Sequence, residues 1–239
     1  MSDQAENLRR KLEARHVTTK AGVISILNAE STEKCTDIAA DFAMELSLTG
    51  SEVLIIGRGR ERRTSSGILS EEAAIHTASG VYKEAPYQVE TTSFPYSFPD
   101  FEKMLFKHDY IFLDLGSGIL REEAGLAACA DETFIIMENS DVSLKKAYAM
   151  IKKLHSASRE QRISLLPNRI SDERNDRKAL ERVKKVTADF LGKEVNLPVP
   201  LPGTGGSQSV FSASVNELKK ERRTGDSFLI RLKKLMAEI

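Results

Sequence analysis

Between residues 23 and 200, short apolar runs alternate with longer stretches whose apolar residues recur every three or four positions. VISIL (23–27) is a continuous, largely β-branched run, the pattern of a strand buried on both faces. From residue 36, TDIAADFAMELSL sets Ile38, Ala39, Phe42 and Leu46 at helical spacing, and Gly50 ends it. EVLIIG (52–57) predicts a second buried strand. RGRERRTSSG, from residue 58, reads as a solvated loop, 70–77 as a short helix and YQVETT (87–92) as a strand. A helix is expected to start at Asp100. After it the alternation is regular: DYIFLDL (109–115) strand, ILREEAGLAACA (119–130) helix, TFIIME (133–138) strand, SDVSLKKAYAMIKKLHS helix, ISLLPN (163–168) strand, and a helix over 172–191. VNLPVPLP then reads as a short extended segment.

Strands alternating with helices of this length imply βαβ units. The expected fold class is therefore α/β: a mostly parallel, doubly wound sheet with helices on both faces. Two segments stand outside it. Residues 1–15 predict a polar helix, with Asp3 as its cap and Glu6 as the reciprocal partner three residues on, followed by a linker over 16–22. Residues 204–239 form a tail ending in DSFLIRLKKLMAEI. At about 100° per residue, Phe228, Leu229, Leu232, Leu235 and Met236 share one face, with Arg231, Lys233 and Lys234 off it. A basic amphipathic helix of this kind suits an anionic membrane surface; the same stripe also suits packing on the sheet or on a partner. The α/β domain itself spans 23–203.

Composition adds exclusions. With 35 basic and 35 acidic residues in 239, the whole chain carries no net charge to recruit nucleic acid. Two cysteines, Cys35 and Cys129, with no CxxC, imply neither a disulfide framework nor a cysteine metal site, and the expected compartment is the reducing cytoplasm. The four histidines are scattered without metal-ligand spacing, so no metal site is expected. The start, MSDQAENLRRK, lacks the apolar stretch of a signal peptide. No apolar run approaches the roughly 20 residues of a membrane span.

Ligands of open α/β sheets sit at the carboxyl ends of strands. Between the first strand and helix lies NAESTEKCT (28–36), where a phosphate-cradling loop belongs. Such a loop needs glycines, so that backbone N–H groups can close on the phosphates. It also needs a lysine for the terminal phosphates and an adjacent hydroxyl for Mg²⁺. This loop has no glycine; its Glu30 and Glu33 oppose a triphosphate, and Lys34 and Thr36 are not adjacent. Like charges ~4 Å apart cost about 1 kcal/mol in water and several times more at protein-like dielectric. Asp114, at the end of DYIFLDL, reads either as an Mg²⁺ ligand or as a strand-end carboxylate holding a loop N–H. Asn168 reads as a base contact or a turn residue, and Cys35 as a helix-terminus thiol or a small buried side chain.

The order of elements, DIAADFAMEL from Asp37, DYIFLDLGSGI and LLPNRIS resemble the MinD/ParA-type deviant Walker ATPases, and among them the flagellar-number regulators FlhG, FleN and YlxH. In that family the first loop reads like SGKGGVGKT. Counted back from the helix, its signature lysine falls on Glu30, its phosphate lysine on Cys35 and its Mg²⁺ hydroxyl on Thr36; a one-residue shift puts Lys34 in the phosphate position. Either register loses the signature lysine and the glycines. The acidic pair that ends the family's second strand is replaced by LIIGRGRE. Asp114 falls on the family's strand-end Mg²⁺ position, and Asn168 on its base-contacting asparagine. The resemblance thus implies a vestigial nucleotide site (Glu30, Lys34, Cys35, Thr36, Asp114, Asn168), no ATP hydrolysis and no resident cofactor. ATP and Mg²⁺ enter only if the chain is instead an ATPase with an atypical loop, acting as a membrane-associated switch.

The same branch carries DQAxxLR in its N-terminal helix, and Asp3, Gln4, Ala5, Leu8 and Arg9 match every specified position. In that branch the helix docks on the signal-recognition-type GTPase FlhF and stimulates GTP hydrolysis. A glutamine amide both donates and accepts, and so can orient an attacking water. Gln4 is therefore the expected catalytic group, supplied in trans. Ala5, Leu8 and Leu12 would anchor the helix in a groove, and Arg9 would meet an acidic rim. The resemblance implies FlhF-type GTPases and flagellar basal-body proteins as partners, a membrane contact through the C-terminal helix, and a cytoplasmic protein peripheral to the inner face of the cell membrane.

Overall fold

The computed structural model describes residues 21–29, 35–58, 63–64, 67–68, 75–77, 80–82, 88–92, 98–117, 121–167, 173–197 and 226–237. The expected N-terminal helix and linker lie outside these residues, apart from Ala21 and Gly22.

The elements run β1 (Gly22–Asn28), α1 (Cys35–Leu48), β2 (Val53–Arg58), β3 (Arg63–Thr64), β4 (Gly67–Ile68), β5 (Ile75–Thr77), β6 (Gly80–Tyr82), β7 (Gln88–Thr92), α2 (Phe98–Lys107), β8 (Tyr110–Asp114), α3 (Arg121–Cys129), β9 (Glu132–Met137), α4 (Asp141–Ala157), β10 (Ile163–Pro167), α5 (Glu173–Leu191) and α6 (Asp226–Ala237). Six strands form one sheet in the order β10-β9-β1-β8-β2-β7, and every neighbouring pair is parallel. The extended segment after α5 touches the β10 edge, where Asn196 N–H donates to Ile163 O at 2.8 Å and Asn196 O accepts from Leu165 N–H at 3.0 Å.

Alternation along each strand explains the two layers. Ile24 and Ile26 face one side, with Ile55, Phe112, Phe134 and Ile136, and α1 covers them with Ile38, Phe42 and Leu46. Val23 and Leu27 face the other side, with Leu54, Ile56, Ile111, Leu113 and Ile135. They meet Leu105 of α2, Ala127 of α3, Ile151 of α4, Val183 of α5 and Phe228 of α6. The asymmetry follows from handedness. The chain crosses the sheet one way from β1 to β2, and the other way from β7 through β8 and β9 to β10, so right-handed crossovers place the later helices on the opposite face.

The stretch between β2 and β7 departs from expectation. Within 70–77, read as a short helix, Ile75–Thr77 is a strand paired antiparallel with Gly80–Tyr82. Within the expected solvated loop, Arg63–Thr64 pairs with Gly67–Ile68. IHT and GVY suit paired strands: their β-branched residues favour extended backbone, and three residues are too few to fix a helical period.

The C-terminal helix is also corrected. Phe228, Leu229 and Leu232, expected on a membrane-facing stripe, are buried in the core, and α6 lies against α3. Arg231 fastens it: Nε donates to Cys129 O at 2.8 Å, and the guanidinium donates to Asp131 Oδ1 at 2.8 Å. The other oxygen of Asp131 accepts from Val23 N–H at 2.9 Å, tying α6 to the start of β1. While α6 is seated, those three side chains cannot meet lipid. Leu235 and Met236 belong to its last turns.

Candidate functional site

Parallel register brings the carboxyl ends of β1, β8 and β2 together. Asp114 stands opposite Ile26 on one side and Gly57 on the other. Its carboxylate is buried, and Oδ1 accepts from Gly116 N–H at 3.2 Å. Gly116 has φ +74, a left-handed conformation that costs a side chain but not a glycine. The turn after β8 thereby folds back onto β1: Gly116 O accepts from Asn28 N–H at 2.9 Å, and Leu115 N–H donates to Ile26 O at 3.0 Å. The strand-end reading of Asp114, a carboxylate holding a loop N–H, is met by this bond.

Asn28, which opens the candidate loop read from the sequence, ends β1 as a buried polar residue beside this turn. Ala29 N–H continues to Ile136 O at 2.8 Å, so the chain leaves β1 anchored to both neighbouring strands. Helix α1 begins at Cys35, with Thr36 in its first turn. Strand β1 and helix α1 therefore flank residues 29–34, a stretch that contains no glycine. Glu30, Lys34 and Asn168 lie outside the described residues, as do Asp3, Gln4, Ala5, Leu8, Arg9 and Leu12. The structure brings Asp114 to the ligand end of the sheet beside Asn28 and Gly57.

The next strand end is built by serines. Ser140 caps α4, its side chain accepting from Ser143 N–H at 3.2 Å, and Ser143 Oγ accepts from Glu138 N–H at 3.0 Å. Glu138 is exposed at the end of β9. Gly57, where the resembled family carries a carboxylate, supplies no base to this edge. Cys129 lies at the far end of α3, away from this edge; burial pushes its thiol up to about 11, against a smaller opposing pull from Arg231. It is a packed side chain and not a nucleophile at neutral pH.

No family model matches the chain, and no curated protein matches it. Solved structures do. The ParA of pNOB8, bound to nonspecific DNA, aligns over 90% of this chain and 99% of its own at 13% identity, with a TM-score of 0.55. A plasmid partition protein from Borrelia burgdorferi aligns over 84% of this chain and 99% of its own at 14% identity, TM-score 0.50. MinD from Aquifex aeolicus covers 91% and 98% at 18% identity, TM-score 0.47. Likeness at these identities is likeness of fold: the chain shares the α/β architecture of the pNOB8 ParA and the Borrelia partition protein, an all-parallel sheet flanked by helices.

Proposed function

We propose that this protein is a flagellar regulator that stimulates the GTPase of an FlhF-type partner through its N-terminal segment, while its ParA/MinD-like domain does not hydrolyse ATP. The observation that carries the reading is the full match of Asp3, Gln4, Ala5, Leu8 and Arg9 to DQAxxLR, placed ahead of this fold. Gln4 would orient water in the partner's site, and Ala5, Leu8 and Leu12 would seat the helix. The residues between β1 and α1 support the second half. Without glycine, and with Glu30 and Glu33 among them, they do not suit a magnesium triphosphate. Asp114 is the feature that favours the other reading, an ATPase with an atypical loop, because it retains a carboxylate at the Mg²⁺ position.

A peptide of residues 1–15 added to the partner GTPase tests the proposal. Stimulation by the peptide, abolished in its Gln4→Ala form, is expected. Equal stimulation by the Gln4→Ala peptide would remove the mechanism.

A further inference from the structure

Three successive backbone amides fasten the start of β1. Ala21 N–H donates to Leu105 O of α2 at 3.2 Å, and Gly22 N–H to Asp109 O beside β8 at 2.9 Å. On the β9 side the ladder begins one residue later, with Ile24 opposite Glu132. There Asp131 supplies the acceptor from its side chain: Oδ2 takes Val23 N–H at 2.9 Å, while Asp131 N–H donates to Val23 O at 2.8 Å. Asp131 Oδ1 accepts from the Arg231 guanidinium at 2.8 Å, and Arg231 Nε donates to Cys129 O at 2.8 Å. One carboxylate thus bridges α6 and the first residues of β1. Its side chain is only 11% exposed. A carboxylate this buried stays inward while a counter-charge and hydrogen bonds offset its lost hydration. Without the guanidinium it turns towards water, and Val23 N–H loses its acceptor.

We infer that Asp131 is a joint that couples the seat of α6 to the anchoring of β1: α6 seated closes the β9 side of Val23, and α6 displaced opens it. Ala21 and Gly22 keep their bonds in both states, so the change is confined to the β9 side of the strand's start. Residues 1–20 continue directly from this point, so displacement of α6 is felt at the root of the N-terminal segment. Such coupling is reciprocal. A ligand that binds better when Val23 is open therefore weakens the seat of α6 by the same factor. Neither the joint nor its test involves the GTPase proposed above.

Residue-resolved amide hydrogen exchange of the full chain tests the joint, with Ile55 of β2 as the reference. In Arg231→Ala, Val23 should exchange about tenfold faster relative to Ile55 than in wild type, the effect of losing one hydrogen bond locally. Phe42→Ala weakens the opposite layer and should speed exchange without favouring Val23, which separates the joint from general loss of stability. Arg231→Lys keeps the charge but not the two-point fork, and should give a smaller selective rise; it carries the same comparison if Arg231→Ala does not fold. Equal changes at Val23 and Ile55 in the Arg231 variants would overturn the coupling, as would a selective rise at Val23 in Phe42→Ala.

Discussion

The ring of Phe42 stacks on Phe112 at 5.9 Å and on Phe134 at 5.2 Å between centroids, and is fully buried. Phe42→Ala should cost about 3–5 kcal/mol, read as a lower urea midpoint with unchanged slope. Cys129 gives a pH signature. Its folded pKa is raised from 9.0 to about 11, so the folded protein holds a proton that the unfolded chain releases. Its stabilising contribution is whole below pH 9 and is lost as pH rises through 11. Cys129→Ala should therefore flatten the fall in stability between those pH values, measured by denaturant unfolding. Lys193 opposes it: burial lowers its pKa, so its own contribution grows as pH rises towards 10.5, and the wild-type-minus-variant difference isolates the cysteine. At this scale the sequence spoke most clearly where chemistry demands a residue type. Asp114 was legible as a strand-end carboxylate; its bond to Gly116 depends on a left-handed glycine that pattern alone does not reveal.

Among the elements, α6 illustrates what periodicity can and cannot say. Its apolar stripe was legible, but the partner of that stripe was not, because lipid and protein core select the same spacing. What separates them is Arg231, reaching Cys129 O and Asp131, a pairing a hundred residues apart in sequence and invisible to local pattern. Arg231→Ala should cost roughly 1.5–3 kcal/mol, the range for a hydrogen bond to a charged group. A chain ending at Gly225 should lose several kcal/mol, at about 1.5–3 kcal/mol for each large apolar side chain no longer buried. Urea unfolding checks both, and an unchanged midpoint in the truncated chain would contradict the packing of α6. The strands β1, β2, β8, β9 and β10 were legible because burial on both faces leaves a run dominated by apolar residues. The β5–β6 hairpin was not, since three-residue strands carry too few positions to show a period.

For the molecule as a whole, strand-helix alternation was enough to give a parallel α/β sheet, and right-handed crossovers explain its two unequal layers. Strand order required the structure, since alternation does not say that β8 inserts between β1 and β2. Asp114 stands at the carboxyl edge of the sheet, and residues 29–34, between β1 and α1, include no glycine. Titration calorimetry with ATP and Mg²⁺ should accordingly show no binding, and micromolar affinity would favour the ATPase reading. On the proposed function the chemistry lies at the other end of the chain, with the active site held by a partner. The most direct test is GTP turnover by an FlhF-type GTPase, measured with the full chain and with a chain lacking residues 1–15. Stimulation by the full chain and its loss in the shortened one is the predicted result; equal turnover with both would contradict the central claim.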